Sequence, residues 1–442
     1  MSASIIVREY ARLTTAVVAP GNLDHAQISA SAFDWLCELS AGFRRNGATL
    51  LQVEGRRELK WDSYVGVLET PCGTRLEILP KHHETGECER KSRALLRKLI
   101  RNAMQLKPRE TSEASLELFD KSLSEWVMGQ FLGELDLLVK RGMRFDYQRV
   151  EEEQRFLRGQ LDVVAQMRQP PGRQHRFQIR HDVFLPDRAE NRLLKLALEL
   201  VAKSTRDADN WRLAHELRAL VAEVPRSQHV SQDFRAWSRD RLMAHYQAVK
   251  PWCELILNQQ MPIAVTGQWR GMSLLFPMEK LFEQYVENWL RRCLISTARI
   301  TPQASRHSLC RHNDKDMFRL EPDMLLELGK YAWVLDTKWK RLDGADRQHK
   351  YGLSQADFYQ LFAYGQRYLG GRGELTLIYP RTTKLSQPLP PFDFSPELRL
   401  WVLPFDLDED VLLANNEVDF TRCLNQLHHA SPLLAHRTGE TR

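Results

Sequence analysis

The sequence predicts a mixed α/β protein in three parts: a β-rich module over residues 1–87, a basic helical connector over 88–261, and an α/β domain over 262–442. Three observations lead to this prediction. Short apolar runs bounded by turn residues dominate the first part, which is typical of strands. Apolar residues at helical spacing, mixed with arginines, dominate the second part. In the third part, apolar strand-like runs alternate with amphipathic helices.

The composition indicates a folded protein of modest positive charge. With 43% hydrophobic and 27% charged residues, the 442-residue chain can form two or three domains with proper cores. A net charge of +6 is compatible with nucleic-acid binding but is too small to indicate it. No apolar run approaches the length of a membrane span, and charged residues begin at Arg8 where a signal peptide would be apolar. The seven cysteines have no regular spacing, so we expect a cytoplasmic protein without disulfides. Because no long apolar run is present, we also expect no membrane partner.

The first module is expected to bind a partner. Strands are predicted at residues 4–12, 50–53, 64–68 and 75–79, and a short helix at residues 33–43. The turn Thr70-Pro71-Cys72-Gly73 separates the last two strands and suits a type I turn. Because no catalytic constellation accompanies these elements, a docking role is favoured.

The connector is rich in arginine. Helices are predicted near residues 90–105, 116–138 (one helix or a pair), 187–203 after Pro186, 212–221 and 235–258. The arginines between residues 148 and 180 suit phosphate contacts on duplex DNA, but solvated helix faces produce the same pattern. A loop at Gln169-Pro170-Pro171-Gly172 is a plausible hinge.

Two strands in the last part carry charge where a buried strand should not. Residues 324–328 and 331–335 are apolar runs joined by Gly329-Lys330, which predicts a tight hairpin in the middle of a covered sheet. Asp336 and Lys338 are two residues apart, so they project from one face of the strand. An antiparallel hairpin would bring Asp323 back beside Asp336.

Two carboxylates and a lysine at the edge of a buried sheet suit metal-dependent hydrolysis. Mg²⁺ prefers hard oxygen ligands and binds through one or two carboxylates together with water and phosphate oxygens. Such an ion can lower the pKa of a bound water molecule and stabilise the negative charge that develops on the phosphodiester in the transition state. Lys338 could position the water, deprotonate it or neutralise developing charge. A structural ion pair at a strand end is the alternative.

The same residues carry a family resemblance. Pro322-Asp323 followed by Asp336-Thr337-Lys338 resembles the PD-(D/E)xK nuclease signature. Members of that superfamily usually carry an acidic residue on a preceding helix, and residues 277–292 have helical periodicity. Glu279, Glu283 and Glu287 recur along that helix, and Glu283 is the candidate. Each of the three could instead belong to a solvated helix face.

A helix predicted at residues 354–368 extends the resemblance. It places Gln360 and Tyr364 one turn apart, as in the Gln-x-x-x-Tyr element of RecB-type nucleases. These two side chains could contact DNA or the metal shell, or they could be ordinary helix packing. A further strand is expected at residues 375–379. Beyond Pro380 a helix is expected near Leu412, in a region that matches no familiar landmark.

Further segments resemble McrC, the nuclease subunit of a modification-dependent restriction system. They are Ile-Val-Arg-Glu-Tyr at 6–10, Leu-Glu-Ile-Leu-Pro-Lys at 76–81, Arg-Gly-Gln-Leu-Asp at 158–162, Arg-Ala-Glu-Asn-Arg-Leu-Leu-Lys at 188–195 and Met-Glu-Lys-Leu-Phe-Glu at 278–283. The resemblance implies that the N-terminal half docks on an AAA+ GTPase of the McrB type, which recognises DNA carrying modified cytosine. The chain has no Gly-x-x-x-x-Gly-Lys-[Ser/Thr] loop, so GTP would be bound and hydrolysed by the partner.

The sequence therefore predicts a Mg²⁺-dependent endonuclease subunit with a PD-(D/E)xK-type core acting on double-stranded DNA. Asp323 and Asp336 would hold the metal, Glu283 would complete or orient its shell, and Lys338 would serve the attacking water. Two alternatives remain. One is a nuclease-inactive adaptor that only activates the GTPase, and the other is a stand-alone repair or recombination nuclease.

Overall fold

The computed structural model describes residues 4–19, 21–45, 49–82, 89–104, 121–170, 172–173, 175–238, 240–257, 273–415 and 417–424. The chain forms two compact units. The first combines residues 1–66, 76–108 and 275–442, and the second combines residues 67–75 and 109–274. The predicted first and third parts thus lie mostly in one unit, and their separate roles stay a prediction. None of the described helices is long and apolar enough to cross a membrane.

The N-terminal region is β-rich, as the sequence predicts. Its elements are β1 (Ser4–Arg8), β2 (Arg12–Thr14), β3 (His25–Gln27), α1 (Ala30–Arg45), β4 (Leu51–Gly55), β5 (Glu58–Trp61), β6 (Tyr64–Glu69), β7 (Arg75–Leu79) and α2 (Glu89–Ala103). Strands β3, β2, β5 and β4 form a four-stranded sheet in that order. The sequence does not predict β3 and β5, because runs of three and four residues are too short to show alternation.

The second unit combines helices with a small sheet. Its remaining elements are α3 (Leu123–Arg141), β8 (Asp146–Gln154), β9 (Gln160–Leu161), α4 (Val163–Met167), β10 (Phe177–Leu185), α5 (Ala189–Ser204), α6 (Ala208–Leu220), α7 (Val230–Ala236), a 3₁₀ helix (Arg241–Tyr246) and α8 (Lys250–Leu257). Strands β8, β10 and β9 form a three-stranded antiparallel sheet. The expectation of helix throughout this region is therefore wrong at β8, β9 and β10, although the short α4 lies between them. The helix expected at 235–258 is divided among α7, the 3₁₀ helix and α8, and residues 116–120 of the helix expected at 116–138 lie outside the described residues. Charged residues occupy most of β8, so no apolar pattern marks it as a strand.

The C-terminal region carries the candidate site. Its elements are β11 (Leu274–Pro277), α9 (Met278–Cys293), β12 (Arg299–Pro302), β13 (His307–His312), β14 (Lys315–Leu320), β15 (Met324–Leu328), β16 (Tyr331–Thr337), a 3₁₀ helix (Lys350–Gly352), α10 (Gln355–Tyr368), β17 (Gly373–Pro380), β18 (Phe392–Ser395), β19 (Leu398–Asp406), β20 (Val411–Leu412) and a 3₁₀ helix (Asp419–Cys423). The helix expected near Leu412 is wrong, because that residue pairs with Phe405 of β19 in a short strand.

A seven-stranded mixed sheet organises this region. Six strands follow the order β12-β15-β16-β17-β19-β18, and β20 pairs with β19. The pairs β12–β15 and β15–β16 are antiparallel, whereas β16–β17 and β17–β19 are parallel. Helix α10 makes the crossover between the parallel strands β16 and β17. Strands β1, β7, β6 and β11 form a separate four-stranded sheet.

Helices α9 and α10 both pack on this sheet. Leu361 and Tyr364 of α10 join Val334 of β16 and Leu377 of β17 in one buried cluster. The aromatic rings of α9 instead surround Phe405 of β19, for example Trp289 with ring centroids 5.2 Å apart. Burial on both sides explains why the central strands are apolar throughout. The prediction of a covered hairpin is confirmed.

Candidate active site

The hairpin of β15 and β16 determines which acidic residues meet. Leu328 pairs with Tyr331 across the two-residue turn Gly329-Lys330, and Gly329 has a φ of +58° that favours glycine. At the other end Met324 pairs with Leu335. Asp323 precedes this pair and Asp336 follows it, so the two carboxylates meet at one end of the hairpin. The predicted convergence is confirmed.

Asp323 is held by the strand opposite. Its Oδ2 accepts hydrogen bonds from the backbone N–H of Thr337 at 2.7 Å and from the Thr337 hydroxyl at 2.8 Å. Burial raises the pKa of Asp323, and the charge of Glu283 raises it further, while the two bonds from Thr337 lower it. The carboxyl is thus fixed in orientation before any ligand binds.

Asp336 is the most buried acid of the site. It is 1% exposed, and its Oδ2 accepts a bond from Nζ of Lys338, two residues along the same face. Burial raises the pKa of Asp336 to about 7, and the charge of Asp323 adds to this effect. Burial lowers the pKa of Lys338, but the neighbouring Asp336 more than offsets this, so the pKa of Lys338 is raised overall. Lys338 is therefore a cation at neutral pH.

Glu283 is the member of the predicted glutamate series that faces the site. It is 7% exposed, whereas Glu279 is exposed and Glu287 pairs with Arg291. Its Oε2 accepts a bond from Nζ of Lys280 at 2.7 Å, and its Oε1 accepts a bond from Nε2 of Gln303 at 3.1 Å. The choice of Glu283 over its neighbours agrees with this burial; its catalytic role stays a prediction.

Gln303 connects Glu283 to the aspartates and is not predicted from the sequence. Its backbone N–H donates to the carbonyl oxygen of Asp323 at 2.9 Å while its side chain binds Glu283. The residue follows β12 and has a φ of +43°, an uncommon value for a residue other than glycine. A single glutamine after a proline carries no sequence signal that would reveal this position.

The donor set suits a hard divalent cation, although it is not a closed cage. Within the described residues, no three acidic, histidine or cysteine side chains are arranged to enclose a metal. Oxygens of Asp323, Asp336 and Glu283 are instead bonded to protein donors. The charge of Glu283 raises the pKa of Asp323, and the charge of Asp323 raises the pKa of Asp336, so each acid acts on the next. Burial is the main cause of the raised pKa of both Asp323 and Asp336. Their carboxylates are the oxygen ligands that Mg²⁺ prefers, and Glu283 would have to release Lys280 to join them.

The pair on α10 lies beside the aspartates. Nε2 of Gln360 donates to the Tyr364 hydroxyl at 2.7 Å, and that hydroxyl donates to the carbonyl oxygen of Glu321 at 3.0 Å. Burial raises the pKa of Tyr364 to about 12, and the charges of Asp336 and Asp323 contribute. Tyr364 is 3% exposed, whereas Gln360 is exposed. Tyr364 thus supports the segment that leads into Asp323, and Gln360 is the member that solvent can reach.

Asp357 is a further acidic residue near the site that the sequence does not reveal. It lies one turn before Gln360 on α10 and is half-buried. Its charge raises the pKa of both Asp336 and Lys338. The crossover connection brings it there, and that placement depends on the parallel pairing of β16 with β17.

A family model identifies the chain. The model describes the McrBC 5-methylcytosine restriction system component and matches residues 59–380. The chain belongs to this family. The match contains every candidate site residue, from Glu283 to Tyr364, and confirms the resemblance to McrC noted in the sequence. No curated protein matches this McrBC-family chain.

Solved structures agree on the fold. The chain is similar to one in a structure described as a half-complex from a tetradecameric assembly of Thermococcus gammatolerans McrB AAA+ hexamers with bound McrC. The identity is 18% and the TM-score 0.68, over 91% of this chain and 95% of that one. A second structure, of the Thermococcus gammatolerans McrBC complex, matches at 19% identity and a TM-score of 0.51, over 66% of this chain and 88% of that one. At these identities the likeness establishes a shared fold.

Proposed function

We propose that this McrBC-family protein is the Mg²⁺-dependent endonuclease subunit of a modification-dependent restriction complex, with a PD-(D/E)xK-type core. The observation that carries the proposal is the convergence of Asp323, Asp336 and Lys338 at one end of a buried hairpin. Burying two acids side by side is costly unless a cation or a proton compensates their charge. Such a cost is more typical of a functional site than of a structural ion pair.

Each residue of the candidate site would have its own role in phosphodiester hydrolysis. Asp323 and Asp336 would hold the metal, and Glu283 would complete or orient its shell. When bound, Mg²⁺ would supply a Lewis acid that acidifies a water molecule and stabilises charge on the phosphodiester. The ammonium of Lys338 would donate hydrogen bonds to the reacting phosphate oxygens or the water. A lysine ammonium is ordinarily protonated at neutral pH, and here it binds Asp336, so charge neutralisation is favoured over proton abstraction.

A partner would supply the DNA recognition and the nucleotide-driven step. The similar Thermococcus gammatolerans structure contains McrB AAA+ hexamers with bound McrC, which supports an AAA+ partner of the McrB type for this chain. That partner would bind and hydrolyse GTP and would recognise double-stranded DNA carrying modified cytosine. The second unit of the present chain exposes a cluster of apolar side chains suited to docking. We call these residues the apolar arm: Phe145, Tyr147 and Phe184, which are exposed and whose rings contact one another.

The test is cleavage of methylated and unmethylated plasmid by the purified chain with Mg²⁺, with and without the AAA+ partner and GTP. Cleavage that needs the partner, GTP and methylation supports the proposal. Asp336→Ala should lower the cleavage rate by about a hundredfold or more while GTPase stimulation persists. Asp393→Ala is the matched control, because this exposed acid pairs with Arg399 on the same sheet. Cutting without the partner would identify a stand-alone nuclease. GTPase stimulation without any cutting by the wild type would identify an adaptor.

A further inference from the structure

The Glu9 carboxyl is buried completely and lies far from the catalytic residues in sequence. Glu9 follows β1 and is 0% exposed. Its Oε1 accepts bonds from the Trp339 indole Nε1 at 2.9 Å and from the backbone N–H of Lys81 at 2.7 Å. Its Oε2 lies 3.1 Å from the same Nε1. Because this buried carboxyl is hydrogen-bonded to protein donors and not to solvent, it fixes the relative positions of those donors.

Trp339 is the residue directly after Lys338. Its indole is 8% exposed and packs against the ring of Phe282 on α9, with centroids 5.4 Å apart. The backbone N–H of Lys338 is held by the carbonyl oxygen of Ile378 at 2.9 Å, at the end of β16. Strand β16 ends at Thr337, so no further strand pairing holds the backbone after Lys338. The next contact that holds it is made by the side chain of Trp339.

A cavity of about 540 Å³ adjoins these residues. Glu9, Lys338, Trp339 and Asp357 all contribute to its lining. The indole contacts the rings of Phe282 and His82, with centroids 5.4 and 6.0 Å apart, but such ring contacts allow several orientations. The bond to Glu9 is the directional interaction that selects one of them.

We propose that Glu9 is a positioning residue for Lys338: it holds the Trp339 indole and thereby the backbone that presents the lysine to the scissile phosphate. The placement of Lys338 then depends on the N-terminal sheet, since the backbone N–H of Glu9 also binds the carbonyl oxygen of Leu79 in β7 at 2.9 Å. This inference rests on the proposed nuclease function. A displacement of about 1 Å at a reacting group can slow catalysis about a hundredfold.

The test measures steady-state cleavage by the full chain with its AAA+ partner, GTP and Mg²⁺. Trp339→Phe keeps an aromatic ring beside Phe282 but removes the donor, and we expect kcat to fall about tenfold or more with KM little changed. Glu9→Leu should produce a similar loss, and the double variant should be no slower than the slower single variant, because both remove one interaction. Glu9→Gln should be more active than Glu9→Leu, because its amide oxygen can still accept the two bonds made by Oε1, whereas its amide nitrogen cannot accept the contact made by Oε2.

Glu77 provides the matched control. This glutamate lies on β7, is 3% exposed and binds Arg93 at 2.8 Å, so Glu77→Gln disturbs a buried acid of the same region away from Trp339. It should lower the melting temperature but leave kcat unchanged. If Trp339→Phe and Glu9→Leu fold and cut at the wild-type kcat, the inference is overturned while the nuclease function stands. If Glu9→Leu does not fold, the kcat of Trp339→Phe still tests the inference, and Glu9→Gln serves as the folded variant at position 9. A wild type that does not cut under any condition refutes the nuclease function itself.

Discussion

At the scale of single residues, the site combines two acids that disfavour each other's charge. The folded protein raises the pKa of Asp336 from 3.8 to about 7, chiefly by burial and then by the charge of Asp323. A raised carboxyl pKa means that folding opposes ionisation. The contribution of Asp336 to stability is therefore fully present below pH 3.8 and is lost as the pH rises to about 7. A divalent cation would recover the lost stability by replacing the proton.

This linkage predicts a pH-dependent stabilisation by Mg²⁺. At pH 8, where the folded protein holds Asp336 ionised, Mg²⁺ should raise the melting temperature. At pH 5, where Asp336 is protonated, the rise should be much smaller, because the ion must first displace a proton. Differential scanning fluorimetry with a series of Mg²⁺ concentrations at both pH values measures the effect without any DNA or partner.

Two substitutions control this measurement. Asp336→Asn should abolish the Mg²⁺ shift at pH 8, since it removes both the ligand and the titrating group. Asp393→Asn, at an exposed acid 58% accessible at its side chain, should leave the shift unchanged. An equal Mg²⁺ shift in Asp336→Asn and wild type would show that the ion binds elsewhere, and the assignment of Asp336 as a ligand would be wrong.

Local spacing explains which site residues the sequence reveals. Asp336 and Lys338 share a strand face, and the two-residue turn brings back Asp323, so these three follow from periodicity and turn chemistry alone. Glu9 meets Trp339 across 330 positions, and no local pattern can report that contact. Gln303 likewise reaches Glu283 only because β12 pairs beside β15. The long-range pairing of elements supplies what the local pattern lacks.

At the scale of elements, α10 supports the loop that presents Asp323. Tyr364 is buried in the cluster beneath the helix, and its hydroxyl binds the carbonyl oxygen of Glu321, two residues before Asp323. Gln360 binds the same hydroxyl from the solvent side. The Gln-x-x-x-Tyr pair thus contains one anchoring residue and one exposed residue, and the two should respond differently to substitution.

Tyr364→Phe should destabilise the protein by about 1 kcal/mol, because it leaves the Glu321 carbonyl without its donor, and should lower kcat. Gln360→Ala should leave the melting temperature nearly unchanged and should raise KM for DNA, because the exposed amide is the group available to a phosphate or base. Thermal melts and steady-state cleavage on one methylated duplex separate the two effects. A Gln360→Ala enzyme with wild-type KM would assign this glutamine to the support of Tyr364 alone.

The elements also differ in how far the sequence predicts them. Helix α9 and the hairpin β15–β16 are confirmed within one or two residues, because each has a clear period and recognisable ends. The sheet of β8, β9 and β10 is missed, because β8 consists mostly of charged residues. Its partner β10 follows only after another strand and a helix, and the pairing of Val150 with His181 has no local signature.

At the scale of the whole molecule, the chain carries a candidate catalytic site, and its sequence lacks the Gly-x-x-x-x-Gly-Lys-[Ser/Thr] motif. Cleavage and partner activation should therefore be separable by substitution. The apolar arm is the surface where this can be tried, because its side chains are exposed although they are large and apolar. Tyr147 and Phe184 form a cross-strand pair on β8 and β10, with ring centroids 4.9 Å apart.

We expect Tyr147→Ser with Phe184→Ser to weaken binding to the AAA+ partner at least about tenfold and to abolish GTPase stimulation, because exposed aromatic side chains commonly dominate interface energies. The cross-strand pair contributes only about 0.2–1 kcal/mol to the sheet, so the variant should still fold. Trp211→Ser is the control, because Trp211 is a 52% exposed aromatic residue of the same unit that lies on α6. Analytical ultracentrifugation and a GTPase assay supply the two readouts. Partner binding at wild-type affinity by the double variant would move the docking surface elsewhere, with the N-terminal β module as the next region to test.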